Sequence, residues 1–196
     1  MSSKIQSTRS GNPVRRPAQP LLVELLIQTN DGAFRAHYSG KGLARLDFPK
    51  QPDCGPDSAG NPVPLQVRRW HRRTSIAVQC ILAGRAPRIL PPLDLSSGTP
   101  FRQRVWNTLR RIACGRTRSY GEIARQIGQP QAVRAVGGAC GANPIPLLVP
   151  CHRVLAANGR IGGFSGGLHW KRKLLAREGI RFPAEAAEAS TPDLPF

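Results

Sequence analysis

A chain of 196 residues with 40% hydrophobic side chains is long enough for one large domain or two small ones and can build a hydrophobic core. It has no apolar run of roughly 18 residues, which excludes a membrane-spanning helix, and its basic N-terminus lacks the apolar segment of a secretory signal. The net charge of +18, from 29 basic and 11 acidic residues, favours a polyanionic partner such as nucleic acid.

Basic charge is concentrated in residues 101–181, which contain 15 basic and 2 acidic side chains. Residues 1–100 contain 14 basic and 6 acidic side chains, and residues 182–196 contain only 3 acidic ones. We therefore predict that residues 101–181 form the nucleic-acid surface. The alternative is a surface that is basic only for solubility.

The five cysteines are widely spaced and include no CxxC pair, which argues against a disulfide framework and against a zinc finger. This usage fits a reducing, intracellular setting: cytoplasmic, or nuclear in a eukaryote. A metal site assembled from scattered cysteines with His37 and His71 is left open, but no motif indicates one, and we expect neither a metal nor a cofactor.

The first half predicts a small α/β domain over residues 20–91, preceded by a flexible basic tail at residues 1–19. Residues 21–29 are apolar, and their periodicity does not decide between a buried strand and a short helix. Residues 33–38 and 43–48 flank the sequence SGKG and predict a β-hairpin.

A proline- and glycine-rich loop is predicted over residues 50–64, followed by a helix over 66–83 that Gly84 ends. The proline-rich residues 85–98 form a connector and the best domain boundary. The second domain is predicted over residues 92–181, with a C-terminal tail at 182–196.

Thr99 and Pro100 are typical of a helix N-cap and first helical residue. The predicted helix runs to near Gly115. Its apolar stripe consists of Phe101, Val105, Leu109 and Ile112.

Two short helices follow, in a pattern typical of a helix-turn-helix. Ser119 and Glu122 have the spacing of a capping box, and Gly128 ends the first helix. Pro130 is predicted to open the second helix, which runs to about Ala139. We interpret the pair as a DNA-binding element because it lies within the most basic part of the chain.

The second helix carries mainly small side chains and is in this sense bare, with Arg134 as its one long side chain. Two interpretations are open: close packing against the core, or a smooth face pressed into a DNA groove. The small residues concerned are Ala132, Ala135, Gly137, Gly138 and Ala139.

The sequence VPCHRV places Cys151 and His152 side by side. The apolar run 147–149 predicts a short buried strand, and Pro150 restricts the backbone entering the cysteine. A thiol of pKa about 8.5 is only a few per cent ionised at neutral pH, and a nearby base or positive charge raises that fraction. Most Cys-His pairs are structural, but the excess of positive charge and the glycine-rich loop that follows favour a nucleophile here.

Glu178 is an unexpected carboxylate at the C-terminal end of a predicted helix closed by Gly179. A negative charge there opposes the helix dipole by up to about 1 kcal/mol, so a compensating partner is expected. A nearby arginine is one candidate. A histidine oriented by the carboxylate, as in Cys-His-acid sites, is the other.

Five segments occur in an order and spacing that resemble the methylated-DNA–protein-cysteine methyltransferases, also called O6-alkylguanine-DNA alkyltransferases. The resemblance covers residues 98–179, and the first 90 residues match only loosely, through GLARLDFP. The segments are GTPFRQRVW, SYGEIARQIG, RAVGGACGANPIPLLVPCHRV, GGFSGG and LLAREG.

This resemblance implies a mixed α+β fold. A small RNase H-like N-terminal domain with a short antiparallel sheet would precede a mainly helical domain with a winged-helix-like helix-turn-helix. The implied function is repair of double-stranded DNA by irreversible, single-turnover transfer of an alkyl group from O6-alkylguanine, and also from O4-alkylthymine, to Cys151. No cofactor and no obligate protein partner are implied.

The resemblance also assigns roles. Cys151 would attack the alkyl carbon, linked through water to His152 and then Glu178. Asn143 would brace the helix against the active-site turn. Tyr120 would rotate a DNA phosphate and donate a proton toward N3 of the leaving guanine.

Further residues would bind DNA and the flipped base. Arg134 would fill the gap left by the guanine, and the backbone of Cys151 and Val154 would read its amino group. Ser165 would contact O6, and Phe164 would cover the base, where many relatives have a tyrosine whose hydroxyl is missing here. Gln129 and Gly121 complete the predicted DNA-binding set.

Three other functions are weighed. Non-catalytic lesion-binding relatives lack the nucleophilic cysteine, whereas Cys151 is present. A cysteine hydrolase is disfavoured by the basic surface and the helix pair. A transcription regulator would need further domains, and none is visible.

Overall fold

The computed structural model describes residues 23–49 and 62–181. Over these residues the fold is mixed α and β, with a three-stranded antiparallel sheet, a two-stranded parallel pair and five α-helices. The predicted tails and most of the predicted 50–64 loop lie outside the described residues. Within the described part of the chain, every helix is too short or too polar to cross a membrane.

The antiparallel sheet confirms the predicted hairpin. Strand β1 (Val23–Ile27) pairs with β2 (Phe34–Ser39), and β2 pairs with β3 (Gly42–Asp47). Residues 23–27 therefore form a strand, which settles the choice between strand and helix that periodicity left open. Phe34, Ala36 and Tyr38 alternate along β2 and are fully buried.

Helix α1 (Leu65–Leu82) packs on this sheet and confirms the predicted helix to within one residue. Gly84 follows with a positive φ of 70°. A Cβ at this position would lie 1.9 Å from the carbonyl oxygen of Arg177, so only glycine allows the two chain segments to approach this closely.

The connector at residues 85–98 contains no helix and no extended strand. The backbone of Leu43 accepts from Asp94 N at 2.7 Å and donates to the Pro92 carbonyl at 2.9 Å, which fixes the connector to the sheet. A single hydrophobic core extends through both halves of the described chain. The domain boundary predicted here stays a prediction.

Four helices and two short strands follow the connector. Thr99 caps α2 by accepting from Arg102 N at 3.3 Å. The Ser119–Glu122 capping box of α3 is also confirmed, with both reciprocal hydrogen bonds present. The elements are α2 (Pro100–Leu109), β4 (Arg118–Ser119), α3 (Tyr120–Gln126), α4 (Val133–Gly141), β5 (Val154–Leu155) and α5 (Leu168–Arg177).

Two helix boundaries differ from prediction. Helix α2 ends at Leu109 rather than near Gly115, and Ile112 is buried from the turn that follows. Helix α4 begins at Val133 rather than at Pro130, because the Ala132 amide closes a separate turn onto the Gln129 carbonyl at 2.9 Å.

The strand predicted at residues 147–149 is wrong. This run is a series of turns, with Leu147 at a positive φ of 71° and the Val149 amide bonded to the Ile145 carbonyl at 2.9 Å. The residues are apolar because they are buried, and the turns lead into a 3-10 turn at Cys151–Arg153.

Candidate active site

The thiol of Cys151 lies at the start of the 3-10 turn and is nearly inaccessible, at 4% exposure. The side-chain amide of Asn143 donates to its Sγ at 3.1 Å. Burial raises the pKa of Cys151 to about 11, although the Asn143 hydrogen bond and the charge of Lys171 act in the opposite direction. The resting protein therefore holds a thiol rather than a thiolate at neutral pH.

Asn143 connects the end of α4 to the turn that carries the cysteine. Its Nδ2 also donates to the Val149 carbonyl at 2.8 Å, and its Oδ1 accepts from the Ile145 amide at 3.0 Å. The buried side chain thus joins the backbone on both sides of the Leu147 turn to the thiol.

His152 is completely buried, and its Nε2 lies 2.9 Å from Glu178 Oε1. Burial lowers the pKa of His152 more than the carboxylate raises it, so the ring is neutral. An ionised carboxylate only accepts, so Nε2 carries the proton and Nδ1 carries the free lone pair. That Nδ1 is buried and has no hydrogen-bond partner among the described residues.

Glu178 is held by both partners that the sequence left open. Arg153 donates to its two oxygens at 2.9 Å, through Nη2 and Nε, in addition to the bond with His152. The Gly115 amide donates to Oε2 at 3.2 Å. Burial alone would raise the pKa of Glu178, but the hydrogen bonds from His152 and Arg153 outweigh it and lower the pKa to about 2.

Lys171 is a buried cation that the sequence analysis did not single out. It is 0% exposed, and its Nζ donates to the Val154 carbonyl at 2.6 Å and to the Gly163 carbonyl at 3.3 Å. Burial lowers the pKa of Lys171 to about 8, although the nearby sulfurs of Cys151 and Cys140 act to raise it. Its positive charge favours the ionised form of Cys151.

Arg153 and Lys171 contribute to the basic excess of residues 101–181, but both side chains are buried rather than on the surface. A signal for Lys171 was present in the sequence. Residues 171, 174, 175 and 178 have the i, i+3, i+4, i+7 spacing of one helix face, and this face is buried. Both Lys171 and Glu178 are therefore polar members of the core-facing stripe of α5.

Tyr120, the first residue of α3, is half-buried on the same side of the molecule. A Cβ on Gly162, in the glycine-rich loop, would lie 3.3 Å from the tyrosine hydroxyl, so this loop borders it. Burial raises the pKa of Tyr120 to about 12, and the nearby sulfurs of Cys140 and Cys151 act in the same direction. The hydroxyl thus keeps its proton at neutral pH.

Phe164 lies in the same glycine-rich loop, with its ring centroid 6.5 Å from that of His152 in an edge-on arrangement. Phe48, from the N-terminal half, packs edge-on against Phe164 at 5.6 Å. Trp170 and Phe34 extend this aromatic cluster, with centroid distances of 4.9 Å for Phe48–Trp170 and 5.5 Å for Phe34–Trp170. Ser165 is exposed beside Phe164.

The predicted DNA-contacting residues are exposed or half-exposed on the helix-turn-helix. Arg134 lies in the first turn of α4, Gln129 in the turn between the helices and Gly121 in the first turn of α3. A Cβ built on Gly137 or Gly138 would meet nothing within 4 Å. Packing inside the chain therefore does not require these glycines.

Val154 is buried, and its carbonyl already accepts the Lys171 ammonium. A carbonyl has two lone pairs, so one acceptor position is left. No three His, Cys, Asp or Glu side chains within residues 23–49 and 62–181 are grouped so as to hold a metal ion.

Comparisons with known proteins show which family this chain resembles. The family model for the DNA-binding domain of 6-O-methylguanine DNA methyltransferase matches residues 100–180. A methylated-DNA–protein-cysteine methyltransferase of Mycobacterium bovis is 58% identical over 93 residues, which cover 47% of this chain and 56% of that protein.

Two solved structures are similar over most of their length. The crystal structure of Mycobacterium tuberculosis OGT in complex with DNA has a TM-score of 0.65 and 38% identity, covering 81% of this chain and 93% of that one. The structure of Mycobacterium tuberculosis O6-methylguanine methyltransferase has a TM-score of 0.63 and 38% identity, covering 83% of this chain and 96% of that one.

The two short helices α3 and α4 lie in the same half of the chain as the buried arrangement of Cys151, His152 and Glu178. The chain belongs to the O6-methylguanine-DNA methyltransferase family, which confirms the resemblance seen in the sequence. The alignment with the curated M. bovis relative spans about half the length of that protein, 56%.

Proposed function

We propose that this protein repairs double-stranded DNA by moving the alkyl group of O6-alkylguanine, and of O4-alkylthymine, onto Cys151. The observation that carries the proposal is the buried contact of His152 Nε2 with Glu178 at 2.9 Å, made by the residue that follows Cys151 in the chain. This contact leaves the basic Nδ1 of a neutral histidine available to accept the thiol proton.

The reaction is a displacement at a saturated carbon. A water molecule relays the Cys151 proton to His152 Nδ1, and Glu178 stabilises the imidazolium that forms. The thiolate sulfur bonds to the alkyl carbon while the carbon–O6 bond breaks, and the electron pair leaves with the guanine. Tyr120 donates a proton toward N3 of that guanine. Alignment and a thiolate are enough for this step, so no cofactor is required.

The protonation states fit these roles. A thiol of pKa about 11 is protected from indiscriminate reaction until a base removes its proton. A tyrosine of pKa about 12 retains the proton that it donates. Asn143 supports the thiolate by donating to Sγ and holds the turn through Val149.

Base recognition uses the surfaces around the thiol. Phe164 covers the flipped guanine by stacking, and Ser165 contacts O6. The backbone of Cys151 and the second lone pair of the Val154 carbonyl read the guanine amino group. Lys171 holds that carbonyl in position through its own hydrogen bond to the oxygen.

DNA binding uses the helix-turn-helix. Helix α4 lies in the minor groove with its bare face toward the DNA, and Arg134 fills the space that the guanine leaves. Gln129 and Gly121 contact the DNA backbone. The open space around Gly137 and Gly138 supports this interpretation over close packing within the chain.

We also propose that residues 20–91 form an RNase H-like domain and residues 92–181 a winged-helix-like alkyltransferase domain, flanked by tails at 1–19 and 182–196. The antiparallel sheet with α1 supports the first assignment, and the parallel β4–β5 pair beside the helix-turn-helix supports the second. No obligate protein partner is needed for the reaction, which takes place inside the cell.

The test uses a duplex with one methyl-labelled O6-methylguanine in excess over a known amount of active protein. Label should accumulate to about one methyl per protein and be found on Cys151 by peptide mapping, since an S-alkyl cysteine is a poor leaving group. Cys151→Ala should accept none. Turnover beyond that ratio, or label on Cys140 or Cys114, would refute the mechanism. Tight lesion binding without transfer would favour the non-catalytic alternative.

A further inference from the structure

Three arginines line a cavity of about 400 Å³ beside the helix-turn-helix. Arg111 lies in the turn after α2, Arg116 lies in the following loop, and Arg118 is in β4, directly before α3. All three are exposed, and Thr108 and Gln126 add polar side chains to the rim. No acidic residue lines the cavity.

The arginine charges are largely uncompensated. The side chains of Arg111 and Arg116 form no ion pair or hydrogen bond with any residue in 23–49 or 62–181. Arg118 Nη1 lies 3.7 Å from Glu122 Oε1, a long contact, and 3.5 Å from the Thr117 carbonyl. Glu122 therefore offsets Arg118 only in part, since its other oxygen, Oε2, accepts from the Ser119 amide at 2.7 Å in the capping box.

The other carboxylate of residues 101–181, Glu178, is not available to this cluster. Glu178 is 1% exposed and occupied by Arg153 and His152. Three like charges around one concavity repel each other, and an anion bound between them would relieve that repulsion. Guanidinium groups match phosphate oxygens because their planar fork donates two parallel hydrogen bonds.

The position of the cavity connects it with the DNA-binding element. Arg118 lies just before α3 and Gln126 is the last residue of α3, so the cavity borders this helix. In helix-turn-helix proteins the first helix of the pair crosses the DNA backbone, while the second enters a groove. A duplex held by α4 would therefore bring its phosphates close to α3, which this cavity borders.

We infer that the Arg111–Arg116–Arg118 cavity is a phosphate-binding site that holds a phosphodiester of the bound DNA. The inference rests on the proposed function, since it takes the helix pair as the DNA-binding element. It adds a fixed backbone contact outside the bare face of α4. Such a contact sets the register of the protein on the duplex without reading sequence.

The test compares two double variants of the full-length protein that remove the same amount of charge. Arg111→Gln with Arg116→Gln removes the two unpaired cavity arginines. The control, Arg72→Gln with Arg73→Gln, removes two exposed arginines of α1 that form no ion pair with a described residue. Duplex affinity is measured against salt concentration for wild type and both variants.

We expect the cavity variant to flatten the slope of log K against log salt by about 0.9, the value for the one phosphate that the protein no longer neutralises, and to weaken affinity about tenfold at low salt. The control should change the slope by much less. Arg111→Lys with Arg116→Lys should retain the slope but weaken binding, because lysine keeps the charge and lacks the fork. Equal slope changes in the cavity variant and the control would overturn the inference.

A second measurement identifies the phosphate. Duplexes are prepared with one phosphodiester at a time replaced by a neutral methylphosphonate. Wild type should bind more weakly at one or two backbone positions, and the cavity variant should show no further weakening at those positions. Additive weakening at every position would overturn the inference. Binding of inorganic phosphate by wild type, with unchanged duplex slopes in the variant, would assign the site to a free phosphate and overturn the DNA contact.

Failure of this inference can be told apart from failure of the proposed function. Alkyl transfer from a free O6-alkylguanine base to Cys151 does not require the DNA backbone, so the cavity variant should transfer at the wild-type rate. Wild type that binds duplex with a steep salt slope but transfers no alkyl group would refute the proposed function and leave the cavity result interpretable.

Discussion

The Lys171 ammonium donates a 2.6 Å hydrogen bond to the carbonyl oxygen of Val154 from a position that is closed to solvent. The same cation acts electrostatically on the Cys151 thiol. One buried charge thus serves two parts of the site: the carbonyl proposed to read guanine and the sulfur proposed to accept the alkyl group.

Lys171→Met should raise the pKa of the Cys151 thiol, because the thiolate loses a nearby positive charge. Each pKa unit lowers the thiolate fraction at neutral pH about tenfold. The measurement is the pH dependence of Cys151 alkylation by a small electrophile. Lys173→Met is the control, since Lys173 is 42% exposed on the same helix and pairs with Asp31. Identical profiles for the two variants would contradict a direct effect of Lys171 on the thiol.

Glu178→Gln should slow alkyl transfer and raise the apparent thiol pKa, because the imidazolium of His152 would lose its negative partner. A purely structural ion pair with Arg153 would instead lower the melting temperature and leave the pH profile of thiol alkylation unchanged. Both quantities should be measured on the folded variant, since the carboxylate contacts both residues.

Glu178 should also make stability depend on acid pH. Its pKa is about 2 in the folded protein and 4.5 ordinarily, so its contribution is fully present above about pH 4.5 and is lost as the pH falls toward 2. The shift corresponds to a contribution on the order of 3 kcal/mol to the free energy of unfolding. The difference in unfolding free energy between wild type and Glu178→Gln should therefore shrink between pH 5 and pH 2, in urea titrations. A difference that is constant over this range would contradict the ion-pair assignment.

Tyr120→Phe should slow alkyl transfer in single-turnover experiments while changing duplex affinity far less. The hydroxyl of pKa about 12 is the proposed proton donor, and general acid catalysis contributes roughly 100-fold or more. The ring and its packing against the Gly162 loop are kept in phenylalanine. An unchanged transfer rate would rule out proton donation by Tyr120.

Arg134→Ala should weaken repair of duplex DNA more than transfer from a free O6-alkylguanine base. Extruding a base costs a few kcal/mol in the duplex and nothing for the free base, so only duplex repair benefits from an inserted side chain. Transfer rates on both substrates are compared with those of Arg125→Ala, an exposed arginine of α3. Equal reductions on the two substrates would argue against the inserted role.

Gly138 separates the two interpretations of the bare helix. Gly138→Ala should stabilise the fold by about 0.5–1 kcal/mol, because alanine is the better helix former and its Cβ meets nothing within 4 Å. Gly138→Leu should fold but bind duplex DNA more weakly, since the added side chain would stand between α4 and the groove. Lower stability of both variants would instead indicate close packing within the chain.

Local signals predicted most of the fold because they act over a few residues. The hairpin, the Thr99 cap and the Ser119–Glu122 capping box are all set by short-range hydrogen bonds and turn chemistry. The run at residues 147–149 has the apolar character of a strand because it is buried, although it pairs with no other strand of the described residues. Its left-handed Leu147 has no local signature, since only tertiary packing holds a leucine there.

The sequence predicted some residues of the candidate site and missed others, because only some of them differ from their surroundings in the sequence. Cys151, His152 and Glu178 stand out by residue type and position, whereas buried cations look like surface charge in a chain this basic. Lys171 could have been found from its place on the apolar stripe of α5. Phe48 could not, because its contact with Phe164 joins residues more than a hundred positions apart in the sequence.

The Phe48–Phe164 contact also bears on how such proteins could be recombined. Phe48 belongs to the half of the chain that the family model leaves unmatched. Its ring nevertheless packs against Phe164, which in turn lies edge-on to His152. A chimaera that joins residues 100–180 to the N-terminal half of a relative would keep every motif of the thiol site. The N-terminal half of that relative would then decide which side chain packs against Phe164 beside His152, so the position of this ring should be compared between the chimaera and the parent protein.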